Sequence, residues 1–137
     1  MKMNPEFKAL WVEALRSGKY KQGKGKLRQG DEHDGFSYCC LGVVTDLVRP
    51  NDWVRSKENS KFGILNDAFT PSSVFDPPGI EFFDLPADVA ATIGFDKTAL
   101  FDGEWTVEAH LQLKNDGLRP TRHLTFAEIA DWIEEHL

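Results

Sequence analysis

The amino-acid sequence predicts an α+β fold: a helix-rich single domain over residues 1–137, with a small antiparallel sheet or hairpin and a long irregular central segment. Three observations carry this expectation: apolar stripes of helical period near both ends, a glycine-punctuated polar stretch after the first stripe, and an aperiodic, proline-broken run from Pro50 to Asp84. At 137 residues, 41% hydrophobic and 12% aromatic, the chain is long enough to bury one sizeable core.

Asn4-Pro5-Glu6 reads as a helix start, with a capping side chain, proline at the first helical position and an acid near the positive end of the dipole. Phe7, Leu10, Trp11, Ala14 and Leu15 then fall on one helical face that ends before Gly18. Lys24-Gly25-Lys26-Leu27-Arg28-Gln29 and Gly35-Phe36-Ser37-Tyr38 are expected to pair as short strands across the acidic turn between them. Cys39 to Val48 is apolar nearly all round and is stopped by Arg49-Pro50, which predicts a buried helix. The following stretch to Asp84 is expected to be irregular, yet its Trp53, Phe62, Ile64, Leu65, Phe69, Phe75, Phe82 and Phe83 predict packing over the core beside a pocket. Leu85 to Gly94 predicts a short helix, and Thr106 to Lys114 another, capped by Thr106 and terminated by Asn115-Asp116-Gly117. Thr125-Phe126-Ala127-Glu128 has the form of a capping box opening a last helix, whose apolar stripe is Phe126, Ile129, Ala130, Ile133 and Leu137.

The charge is segregated. Residues 1–30 balance to +6 in a chain of net −6, leaving −12 for the remainder. Between Ala14 and Gly30 lie Arg16, Lys19, Lys21, Lys24, Lys26 and Arg28 with no acidic residue, interleaved with Gly18, Gly23, Gly25 and Gly30. Such a loop offers side-chain cations and backbone N–H groups, the two materials of an anion site. Lys21, Lys24, Lys26 and Arg28 are the candidate phosphate holders, Gly23 and Gly25 allow close backbone approach, and Tyr38 or Trp53 could stack on a base. The phosphate-loop and dinucleotide-binding signatures are both absent, which argues against nucleotide hydrolysis. The acidic remainder argues against general nucleic-acid binding.

Cys39 and Cys40 invite a nucleophile reading, a thiol at a helix N-terminus with His110 or His123 as base. Cysteines flanked by Leu41, Val43 and Val44 fit small core residues better. Being adjacent, they are poorly placed for a stabilising disulfide. Cys39, Cys40, His33, His110 and His123 lack metal-site spacing, so no metal and no cofactor are expected. No apolar run approaches the roughly 20 residues that span a bilayer, and Met1 to Glu6 lacks the apolar core of a secretory signal. The expectation is a cytoplasmic protein with no membrane contact.

Trp11 to Leu15 followed by Lys21-Gln22-Gly23-Lys24-Gly25-Lys26-Leu27-Arg28, then Tyr38-Cys39-Cys40-Leu41-Gly42-Val43, Leu85 to Val89, Asn115-Asp116-Gly117 and Phe126 to Glu134 make up a combined pattern. In it the chain resembles a family of small, largely uncharacterised proteins of bacteriophages and actinobacterial genomes. The resemblance implies a phage-type accessory protein, acting in the host cytoplasm, of the kind that interferes with host defence by sequestering nucleotide second messengers. With the basic loop, this makes the leading expectation a non-catalytic protein that binds a nucleotide-like, phosphate-bearing small molecule, with homo-oligomerisation open. A module that grips an acidic host protein or a nucleic-acid enzyme is the alternative, and a cysteine-dependent hydrolase using Cys39 and His110 is the third.

Overall fold

The structure, a computed structural model, describes residues 1–31, 33, 35–51, 53–55, 68–71, 84–117 and 122–137. Among the described residues, five helices and a small mixed sheet make up the α+β fold that the sequence predicts. Helix α1 (Pro5–Arg16) starts where Asn4 Oδ1 accepts from the Glu6 amide at 2.9 Å. It buries Trp11, whose indole N–H donates to Cys40 O at 2.9 Å.

After α1 come β1 (Lys21–Gln22), β2 (Arg28–Asp31) and β3 (Gly35–Tyr38), followed by α2 (Cys40–Val48). The expected hairpin is present, with Arg28 opposite Tyr38 and Asp31 opposite Gly35. Its first strand starts four residues later than expected, at Arg28 rather than Lys24, and residues 23–27 are instead a loop clamped beneath α2. Leu27 of that loop is buried, and a Cβ on Gly42 would lie 1.7 Å from Leu27 O. Only glycine lets the helix backbone approach so closely, which explains a residue that otherwise weakens a helix interior.

The central stretch expected to be irregular contains two strands, β4 (Trp53–Arg55) and β5 (Ala68–Pro71), which complete the sheet in the order β1-β3-β2-β5-β4. Only β1 and β3 run parallel among these pairings. Phe62, Ile64, Leu65, Phe75, Phe82 and Phe83 lie outside the described residues, and with them the expectation that this stretch covers a pocket.

Helix α3 (Ala87–Ile93) ends at Gly94, which takes a left-handed conformation at φ 73°. Helix α4 (Val107–Asp116) is capped by Thr106 as expected, but runs two residues further, so Asn115 and Asp116 form its last turn and Gly117 closes it. Helix α5 (Phe126–His136) carries the complete capping box between Thr125 and Glu128. Helix α2 lies at the centre, against α1, α3 and α4, and α1 also packs along α5. Trp11, Leu41, Val44, Leu111, Ile129 and Ile133 fill the space between them and are fully buried. Arg16 joins α1 to α5 through Asp131 at 2.5 Å and Glu134 at 2.6 Å.

Candidate functional site

Asn115 organises the basic loop. It is fully buried in the last turn of α4, where its Oδ1 accepts from the Cys40 amide at 3.0 Å and from Gln22 Nε2 at 3.2 Å. Its Nδ2 donates to Gly23 O at 2.8 Å and to Asp116 Oδ1 at 2.9 Å. Two donors face the oxygen and two acceptors face the nitrogen, so the network fixes the amide orientation and uses the whole capacity of the side chain. Gln22 also donates to Leu124 O at 2.8 Å, and the Gly25 amide donates to Asp116 Oδ1 at 2.9 Å. Three segments distant in sequence, the Gln22–Leu27 loop, the start of α2 and the end of α4, therefore meet at one side chain.

These bonds bear on the expected anion site. The Gly25 amide is taken by Asp116, and the Gly23 amide by Tyr38 O at 2.7 Å. Both backbone donors are turned inward because the loop hydrogen-bonds to the domain, so anion binding there falls to side chains.

Strand alternation sorts those side chains into two groups. One cross-strand row is Gln22, Tyr38 and Arg28. It faces the helices: Gln22 reaches Asn115, and the Arg28 guanidinium lies over the Phe36 ring at 3.6 Å, with the Trp53 and Tyr38 rings at 5.2 and 5.8 Å. Tyr20 meets Tyr38 edge-on at 4.9 Å. Asp46 of α2 accepts from the Tyr20 hydroxyl at 2.7 Å and from the Trp53 indole at 2.8 Å. Burial, and then the Asp46 carboxylate, push the Tyr20 hydroxyl well above its ordinary pKa. The expected stacking residues Tyr38 and Trp53, and the expected phosphate holder Arg28, thus belong to an internally bonded aromatic cluster.

The adjacent row is Lys21, Ser37 and Gln29, on the opposite face. Gly23 follows Lys21 by two residues and shares that face. A Cβ on Gly23 would fall 2.6 Å from Ser37 Oγ and 2.7 Å from Gln29 Nε2. Gly23 is therefore buried beneath the Ser37 hydroxyl and the Gln29 carboxamide, with the exposed Lys21 in the same row. Gln29 Nε2 also donates to Lys24 O at 3.2 Å, and the exposed Lys24 sets its Nζ 3.4 Å from His123 Nδ1. Lys26 is half-buried, and its carbonyl accepts from the Cys39 amide at 3.3 Å.

Ser37, Gln29 and Asn115 were not among the residues that the sequence nominates. The period-2 alternation of Lys21 and Gly23 against Ser37 is the signal that could have found the first two, once the pairing of β1 with β3 is known.

The two cysteines sit where a helix dipole acts on them, yet both are buried, and Cys40 Sγ donates to Leu111 O at 3.5 Å. Burial pushes the Cys39 thiol up to about 12 and the Cys40 thiol well above its ordinary value. A thiolate nucleophile is disfavoured at either position. His110, the candidate base, is held by Asp102 at 3.1 Å and lies edge-on to Phe101. Among the described residues no group of three or more His, Cys, Asp or Glu could hold a metal ion, and no helix is long and apolar enough to cross a membrane.

The molecule is thus an α+β domain with a rigidly held basic loop beside a polar sheet face. It belongs to the family described as a domain of unknown function (DUF8296), whose model matches residues 3–137. Neither curated proteins nor solved structures contain a match to the chain.

Proposed function

We propose that the protein is a non-catalytic binder of a phosphate-bearing small molecule, held on the outward face of the β1-β3-β2 sheet. The observation that carries this reading is the outward row on which the exposed Lys21 stands with Ser37 and Gln29, beside a loop backbone fixed by Asn115. Donors held in place before the ligand arrives reduce the ordering cost of binding. A titration of inorganic phosphate and nucleotides followed by thermal unfolding tests it. A ligand at a hundredfold its dissociation constant adds about 2.7 kcal/mol of stability. The reading expects such a gain for the native protein and its loss in Lys21→Glu.

A separate observation favours a protein-interaction module as the second reading. The turn from Leu100 to Thr106 is closed by the Phe101 amide donating to Trp105 O at 2.9 Å, and Asp102 Oδ1 accepts from the Glu104 and Trp105 amides. It holds Leu100, Phe101 and Trp105 exposed, Trp105 at 50%. Exposed aromatic anchors on a rigid turn are suited to a partner surface. This reading expects a pull-down from host extract that Trp105→Ala abolishes and Lys21→Glu leaves intact.

A further inference from the structure

We infer that α1 is the contact surface of a two-fold dimer, packed antiparallel against α1 of a second copy of this chain. An open groove of about 690 Å³ runs along the helix, with Pro5, Lys8, Ala9, Val12, Glu13 and Arg16 on one side and Glu134 of α5 on the other. Those six residues recur at helical spacing and share one face of α1, which is 12 residues and so about 18 Å long. The inner side of the same helix is spent on the core through Trp11, Val12 and Leu15, and Arg16 ties it to α5. Pro5, Ala9 and Glu13 on the groove side are exposed. The lining is mainly apolar with charges at its edges, the composition of a surface that another protein segment covers.

The occupant is read from the self-complementarity of this face. A two-fold axis passing between Leu10 and Trp11 sets Pro5 opposite the partner's Arg16, Lys8 opposite the partner's Glu13, and Ala9 opposite the partner's Val12. The six residues therefore exchange places with one another, as an isologous interface requires. Two lysine–glutamate pairs form, one on each side of the axis, and the small Ala9 leaves room for the valine branches. Lys8 Nζ gives one hydrogen to Glu134 O at 3.2 Å, which leaves two for the partner's carboxylate. Arg16 is neutralised by Asp131 and Glu134 and brings no uncompensated charge to its place opposite proline. A parallel pair would instead set Lys8 against Lys8 and bring together the two basic stretches that follow α1, whereas the antiparallel pair holds them at opposite ends.

Sedimentation equilibrium of the full chain tests this. A helix pair of this length is at the small end of stable interfaces, so a dimer at about 100 µM that dissociates on dilution is expected. Lys8→Glu and Glu13→Lys each set two like-charge pairs across the axis, and each is expected to weaken dimerisation about tenfold or more. Mixed in equal amounts, the two variants are expected to form a heterodimer at least as tight as the native dimer, because each meets the other with opposite charges. Ala9→Glu, at an exposed position, is expected to abolish dimerisation and replaces either reversed variant if that variant does not fold. A monomer at every concentration, a dimer indifferent to these substitutions, or reversed variants that do not restore each other on mixing would overturn the inference.

Discussion

The carboxamide oxygen of Asn115, in the last turn of α4, accepts the first amide of α2 from Cys40 at 3.0 Å. The N-cap residue of α2, Cys39, makes no side-chain capping bond, so the cap comes from a residue 75 positions away in sequence. Through the same side chain Gly23 O is tied down, and with it the loop that carries Lys21 and Lys24.

Removing that side chain should be costly. Asn115→Ala leaves the Cys40 amide and Gly23 O without their buried side-chain partner, and each unmet buried group costs about 1–3 kcal/mol. A loss of about 3 kcal/mol or more is expected in urea unfolding. A loss below about 1 kcal/mol would mean that the network is not what holds the loop.

Gly42→Ala should reverse the usual sign of a helix substitution. Within an unobstructed helix the change from glycine to alanine gains about 1 kcal/mol. Here the methyl would meet Leu27 O at 1.7 Å, and neither backbone can yield without moving α2 or the loop. Chemical denaturation is expected to show strong destabilisation, and a gain in stability would refute the close contact.

Glu108 should make stability depend on pH. It is 7% exposed, its Oε2 has no hydrogen-bond partner among the described residues, and Oε1 lies 3.5 Å from Lys97 Nζ. Burial raises its pKa, against the opposing pull of Lys97. A carboxyl whose folded pKa lies above its unfolded one contributes stability that is full below the unfolded value and lost as pH rises through the folded one. The unfolding free energy of Glu108→Gln minus that of the native protein should therefore grow as pH rises from about 4 toward neutrality. A difference that shrinks over that range would show that Lys97 outweighs burial.

Both thiols should be inert in the folded protein. Cys39 and Cys40 are buried and their thiolates are disfavoured by the surrounding apolar packing. Reaction with a disulfide reagent is expected only at the rate of unfolding. A rapidly labelled cysteine in the native state would restore the hydrolase reading.

What was legible in the sequence is what is local. The starts of α1, α4 and α5 are written in Asn4, Thr106 and the Thr125–Glu128 box, each acting within three residues of itself. The short strands β4 and β5 carry too few residues for a period to show, and their place is set by partners elsewhere in the sheet. The same holds for the site. Basic side chains and glycines mark the loop, but which of them share a face follows from the register of β1 and β2 against β3, and the role of Asn115 follows from contacts to Cys40 and Gly23, 75 and 92 residues away. Read as Asn-Asp-Gly alone, that residue resembles an ordinary turn.

The central claim is that an anion binds on the outward row and not at the aromatic cluster. Amide-resolved NMR of the native protein titrated with inorganic phosphate tests it most directly. The account predicts saturable shifts centred on Lys21, Gly23, Gln29 and Ser37. Shifts centred instead on Arg28, Phe36 and Trp53, or none at all, would contradict it.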